Sequence, residues 1–163
     1  MRALLTALLL PLSLMIPACS PQAAENAPAP AATQASVHPV SGLEVIPLTI
    51  TTLGKTHSFR VEVARTPQEQ AKGLMFRTEM GPDEGMLFPY DQPRVLSFWM
   101  RNTVLSLDLV FIDAQHRIIN IAENATPYSE ASILSDAPAV AVLELNGGRA
   151  RGLGIVAGNK VDW

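Results

Sequence analysis

Five residues of this chain have the types from which a polar binding site is built: Trp99, Arg101, Asn102, Asp108 and Glu144. Arg101-Asn102-Thr103 lies between the apolar Phe98-Trp99-Met100 and a second apolar run at 105–112. An unpaired polar group in such surroundings costs roughly 2 to 7 kcal/mol, so the cluster must satisfy its own hydrogen bonds or line a pocket. Asp108 stands inside the run 105–112, and Glu144 inside a further apolar run at 140–145. In period-two alternation Asp108 shares a face with Val110 and Ile112, and Glu144 shares one with Val140 and Val142. Each needs a cationic or amide partner if ionised, and Arg77, Arg94, Arg101 and Asn102 are the candidates.

A recess in which Arg101, Asn102, Asp108 and Glu144 converge beside Phe98 and Trp99 would offer an aromatic wall, a guanidinium fork and two acceptors. Such a mixture suits a neutral polar ligand, for example a sugar or a peptide-like group. The alternative is architectural, with both carboxylates locked in ion pairs that position the loops. A third use makes Asp108 and Glu144 the acid and base of a hydrolase or transferase acting on carbohydrate or peptide. Two carboxylates on different strands are an unspecific signal for it.

Other chemistries have less support. His38, His57 and His116 fall in a linker, a strand-start turn and a hairpin turn, none beside a serine or cysteine in a nucleophile elbow, and read as polar surface residues. There is no HxxxH, no CxxC and no acidic calcium loop, so neither metal nor cofactor is expected. Met75, Met80, Met86 and Met100 could bind a soft metal, but beside Leu74, Phe76, Leu87 and Trp99 they read as flexible core filler. The formal net charge of -3 and the absence of a basic run argue against nucleic acid.

The elements that must position these residues are mostly strands. Short apolar or alternating runs at 43–51, 58–63, 85–88, 95–100, 107–112, 117–121 and 140–145 are separated by Gly, Pro, Asp or Asn. Asp113-Ala114-Gln115-His116 suits a hairpin turn, and Gly158-Asn159 a second one. Thr66-Pro67-Gln68-Glu69 announces a helix, with Thr66 as cap, Pro67 at the first helical position, Glu69 closing a capping box and Gly73 as the stop. Leu74-Met75-Phe76 should then fold under the sheet as an apolar plug. A second short helix is expected from Gly148 to Leu153, ended by Gly154. The pattern predicts a compact, mainly β (α+β) domain at 42–163, an antiparallel barrel or sandwich with one or two short helices.

Residues 1–18 read as a secretory signal, with Arg2 ahead of an apolar run too short for a membrane span. The run leads into Ala18-Cys19-Ser20, which resembles the lipobox of bacterial lipoproteins, and Cys19 is the single cysteine of the chain. A lone cysteine cannot form an internal disulfide, and lipidation accounts for its position. The expected address is the outer membrane facing the periplasm; cleavage at Ala18 or Ala24 would instead release a soluble periplasmic or secreted protein. Residues 19–41, rich in Ala and Pro with the single charge of Glu25 ahead of His38, read as a disordered tether. The remaining 42–163 suffice for one domain.

A series of motifs runs through that domain: Val61-Glu62-Val63-Ala64, Gly73-Leu74-Met75-Phe76-Arg77, Gly85-Met86-Leu87-Phe88, Phe98-Trp99-Met100-Arg101-Asn102-Thr103, Leu107-Asp108 with Phe111-Ile112-Asp113, and Leu143-Glu144-Leu145. In this order and spacing it resembles the exported and lipoprotein members of the domain of unknown function 192 (DUF192) family, over residues 46–161. The resemblance implies a compact, mainly β domain with minor helix, behind a signal peptide or lipobox, and no particular reaction. The chain departs from the family pattern at Ser106, in place of proline, and at Asn159, in place of aspartate. Together these readings point to a non-enzymatic binding or accessory module for a small polar ligand or an envelope protein, with membrane attachment through Cys19.

Overall fold

The computed structural model describes residues 36–163. The signal-like segment, Cys19 and the tether up to residue 35 lie outside the described residues. Among the described residues ten strands and two short helices follow one another: β1 (Ser36–Val37), β2 (Glu44–Thr52), β3 (Lys55–Val63), α1 (Pro67–Lys72), β4 (Glu84–Arg94), β5 (Ser97–Phe98), β6 (Leu107–Ile112), β7 (Ile118–Ala125), β8 (Ile133–Leu134), β9 (Ala139–Asn146), α2 (Arg149–Leu153) and β10 (Lys160–Asp162). Among the described residues no helix is long and apolar enough to cross a membrane.

One sheet runs in the order β1-β2-β3-β4-β9-β6-β7, with β10 paired to β2, and β5 and β8 form a separate two-stranded sheet. Every pairing is antiparallel except β3 with β4. A parallel pair needs a crossover, and α1 with the segment up to residue 83 supplies it. The helix is built as its sequence predicts. The Thr66 side chain accepts from the Glu69 N–H, the Glu69 carboxylate accepts from the Thr66 N–H, and Gly73 ends the helix at a φ of 48°. The sheet is sandwiched between two apolar layers and does not close into a barrel. On one face Leu48, Ile50, Phe59, Val110, Leu143, Leu145 and Ile155 pack with Ala150 of α2. On the other Leu74, Met86, Phe88, Leu96, Met100, Leu109, Phe111 and Val142 pack beneath β5 and the loops around it.

Several expectations are corrected. The stretch expected to be a disordered tether is paired at its described end, where Ser36 and Val37 pair with Val45 and Glu44. The run 95–100 is not one strand: Pro89 and Pro93 make β4 irregular up to Arg94, and only Ser97–Phe98 pairs again, in the small sheet with β8. The plug holds for Leu74, which is buried, whereas Phe76 is 71% exposed at a φ of 61°. Asp113 to His116 does turn β6 into β7, but Gly158-Asn159 joins no hairpin, since β10 pairs with β2. Both departures from the family pattern are accommodated locally: the Ser106 hydroxyl donates to the Ala125 carbonyl, and Asn159 Oδ1 accepts from the Val156 N–H.

Gly85 in β4 faces Leu145 across the ladder, and a Cβ there would lie 2.5 Å from the carbonyl oxygen of Glu144. Gly85→Ala should therefore lower stability by about 2 kcal/mol or more, read as the urea midpoint, because two backbones would have to separate at the centre of the sheet. An unchanged midpoint would contradict this close approach.

Candidate functional site

Strand register decides which of the expected site residues meet. Strand β9 lies between β4 and β6, pairing Glu144 with Met86 on one side and Leu109 on the other, while Asp108 pairs with Leu145. Directly opposed residues share a face. Glu144 therefore points into the layer containing Met86 and Leu109, and Asp108 into the opposite layer with Leu145. The two carboxyl groups do not converge, and no acid and base pair is formed across one recess.

Asp108 is fully buried and acts as an anchor. One carboxylate oxygen accepts from the backbone N–H groups of Asn124 (2.8 Å) and Gly148 (2.9 Å), the other from that of Ala150 (2.9 Å). It thus ties β7 and the start of α2 to β6. Asn102 is likewise outside the recess: it turns the chain at a φ of 54°, its carbonyl accepts from the Phe76 N–H at 2.9 Å, and its side-chain amide donates to the Met75 sulfur at 3.8 Å. Asparagine is among the residues that tolerate this left-handed conformation.

Glu144, Trp99 and Arg101 do line a common recess of about 270 Å³, together with Gln70 and Lys72 of α1, Met75 just beyond it, Tyr90 of β4, Ser97 and Phe98 of β5, and Thr103. Each wall has a local cause. Gln70 is held by its amide, which donates to the carbonyls of Ala64 and Pro89. Tyr90 enters where the β4–β9 register slips between Pro89 and Arg94, and Arg94 lies 4.7 Å over its ring. Phe98 is fixed edge-on to Phe88 at 5.2 Å and to Phe111 at 6.3 Å. Trp99 is half-exposed at the rim, with the Arg101 guanidinium 5.5 Å over its ring and Glu130 3.5 Å from Arg101 Nε.

Glu144 is 5% exposed, and its carboxyl takes part in none of the hydrogen bonds or ion pairs formed among the described residues. Burial alone raises its pKa from 4.5 to about 8, so the group is largely a neutral acid at pH 7, both donor and acceptor. Burial also raises the Tyr90 hydroxyl above its usual range; Arg94 opposes the rise and Glu144 adds to it.

Sequence reasoning missed a third buried carboxylate. Glu62 of β3 is 4% exposed and pairs with Arg77 at 3.0 Å, with the His38 ring 3.7 Å away. His38 is thus not a free polar residue of a linker but packs on the domain. Strand alternation puts Glu62 opposite Val61 and Val63, which reads as solvent-facing; Arg77 and His38 cover it from distant parts of the chain. Tyr90 was also missed, although its flanking Pro89 and Pro93 are the signal of an irregular strand.

The family model for DUF192, described as an uncharacterized ACR, matches residues 48–163. A crystal structure of a protein of unknown function from Novosphingobium aromaticivorans is 54% identical and superposes with a TM-score of 0.77, covering 78% of this chain and 91% of that one. A second, from Sinorhizobium meliloti and given the provisional description of a transcription regulator, is 40% identical with a TM-score of 0.72, covering 74% of this chain and 94% of that one. Among curated proteins nothing matches.

Proposed function

The chain belongs to the DUF192 family, and on that premise we propose that its domain is a cell-envelope binding module that holds a small polar ligand in the recess floored by Glu144. The observation that carries this reading is a carboxyl on a buried side chain whose oxygens open into a recess and bond to none of the described residues. A protonated carboxyl in that position offers one donor and an acceptor to whatever enters the recess. A ligand with its own donors and acceptors, seated against Phe98 and Trp99, supplies their partners. Of the five sequence candidates, Trp99, Arg101 and Glu144 belong to this site, and Asp108 and Asn102 support the fold around it.

Attachment to the membrane through a lipid on Cys19, with export before it, completes the reading and rests on the sequence alone. Nucleic acid is no part of it, since the chain is acidic overall. A loop of an envelope protein is the second candidate occupant, favoured by the exposed aromatics Trp99, Phe76 and Tyr128 on adjoining loops.

Thermal unfolding of the mature protein against envelope sugars, muropeptides and amino acids tests the ligand reading, with Glu144→Gln and Trp99→Ala alongside. A ligand at 100 times its dissociation constant should stabilise by about 2.7 kcal/mol, a shift of several degrees, and the shift should vanish in both variants. A shift retained in both would place the ligand elsewhere.

A further inference from the structure

Three carboxyl groups are buried among the described residues, and they differ in what faces them. Glu62 has Arg77 and His38, and Asp108 has three backbone N–H groups. Glu144 alone has neither a cation nor a hydrogen-bond donor, although it opens into a recess. None of the donors that line the recess bonds to the Glu144 carboxyl, although Tyr90 lies close enough for that carboxyl to raise its hydroxyl pKa. Tyr90, Phe98 and Trp99 line the recess beside it, with the Arg94 guanidinium over the Tyr90 ring and that of Arg101 over the Trp99 ring.

The outer part of the recess has the opposite sign. Lys72 from α1 and Arg101 from the loop after β5 line it, and Arg94 stands behind Tyr90. Among the described residues Arg101 pairs with Glu130, at 3.5 Å with both side chains more than half exposed, an arrangement that holds the guanidinium weakly. A simple amine would meet two cations on its way in and find nothing for them at the rim. A simple carboxylate would satisfy the rim and leave the floor without a cation.

We infer that the recess takes a small zwitterion of the amino-acid class, its ammonium group directed at the Glu144 carboxyl and its carboxylate at the Arg101 guanidinium. This deepens the ligand-site reading and rests on it. The planar fork of Arg101 matches a carboxylate in two parallel hydrogen bonds. A volume of about 270 Å³ lies below the usual range for drug-sized ligands, which matches one amino acid rather than an oligosaccharide. An ammonium at the floor stabilises the ionised form of Glu144, so binding releases a proton at neutral pH. Affinity should then rise as pH climbs towards 8, by up to tenfold per unit, and level off above it.

The test is calorimetric titration of the mature protein at several pH values from 6.5 to 8.5. The probes are L-alanine, L-leucine and L-phenylalanine, each with its N-acetyl and its amide counterpart, plus N-acetylglucosamine as a neutral control. At least one free amino acid should bind ten times or more tightly than both of its blocked forms, with affinity rising with pH. Arg101→Gln should bring that amino acid down to the level of its amide, and Glu144→Gln down to that of its N-acetyl form. Equal binding of free and blocked forms, an affinity that falls as pH rises, or no amino-acid binding at all would overturn the inference. Glu144-dependent binding of N-acetylglucosamine alone would sink the zwitterion and leave the ligand site standing. If no probe binds and no ligand in the wider panel depends on Glu144, both fail.

Discussion

Asp108→Ala should lower the stability of the domain by about 4 kcal/mol or more, a fall in melting temperature of roughly 15 °C, because three backbone N–H groups lose their common acceptor at once. Hydrogen bonds to a charged group are each worth about 1.5 to 3 kcal/mol, and the abandoned donors are not replaced by water where the Ala150 N–H and the Asp108 site are buried. Asp108→Asn should lie between, since an amide can accept from two of the three N–H groups while its own NH2 meets the third. Both variants leave the Glu144 recess untouched on the other face of the sheet. Folded Asp108→Asn protein should therefore bind the recess ligand as the wild type does. A melting temperature within about 2 °C of wild type in Asp108→Ala would remove the anchor role.

Glu144→Gln should have the opposite sign and a pH dependence. In the unfolded chain this carboxyl ionises near 4.5, whereas in the fold burial holds it protonated up to about 8. Between those values unfolding releases a proton, so stability falls as pH rises through the window and is flat beyond it. At about 1.4 kcal/mol per unit the full window amounts to roughly 4 to 5 kcal/mol, an upper figure. Glutamine fills the same space without ionising. The variant should match the wild type near pH 4.5 and exceed it by a few kcal/mol at pH 8, as read from urea midpoints across the range. Parallel profiles for the two proteins would mean that Glu144 is ionised in the fold.

Local chemistry was legible in the sequence wherever it is set by neighbours along the chain. The capping box at Thr66 and Glu69, the turn at 113–116 and the short helix between Gly148 and Gly154 all form from residues within a few positions of one another. The placing of two acidic residues inside apolar strands was legible too. Which face each carboxyl takes was not, because alternation gives the phase within one strand and says nothing of its phase against the next. That relation depends on the β6–β9 register, which puts Asp108 opposite Leu145 rather than opposite Glu144. His38 shows the same limit: its partner Glu62 is 24 residues away, and nothing in the composition of the linker signals the contact.

The recess was half legible. Trp99 and Arg101 stand out as exposed chemistry between apolar runs, and Glu144 as a carboxyl out of place. Asn102 has the same sequence context as Arg101, yet its left-handed backbone turns it towards Met75 and away from the recess. Tyr90 reaches the site through a slip in register that no alternation pattern could announce.

The state of the Glu144 carboxyl carries the whole account of the site. Carbon-13 NMR of glutamate side-chain carboxyls, followed from pH 5 to 10 in the mature protein, observes it directly. The account predicts one carboxyl titrating near pH 8, absent from Glu144→Gln, with a midpoint that moves down when a bound amino acid places its ammonium at the floor. Glutamate carboxyls that all titrate below pH 6 in the free protein would contradict it.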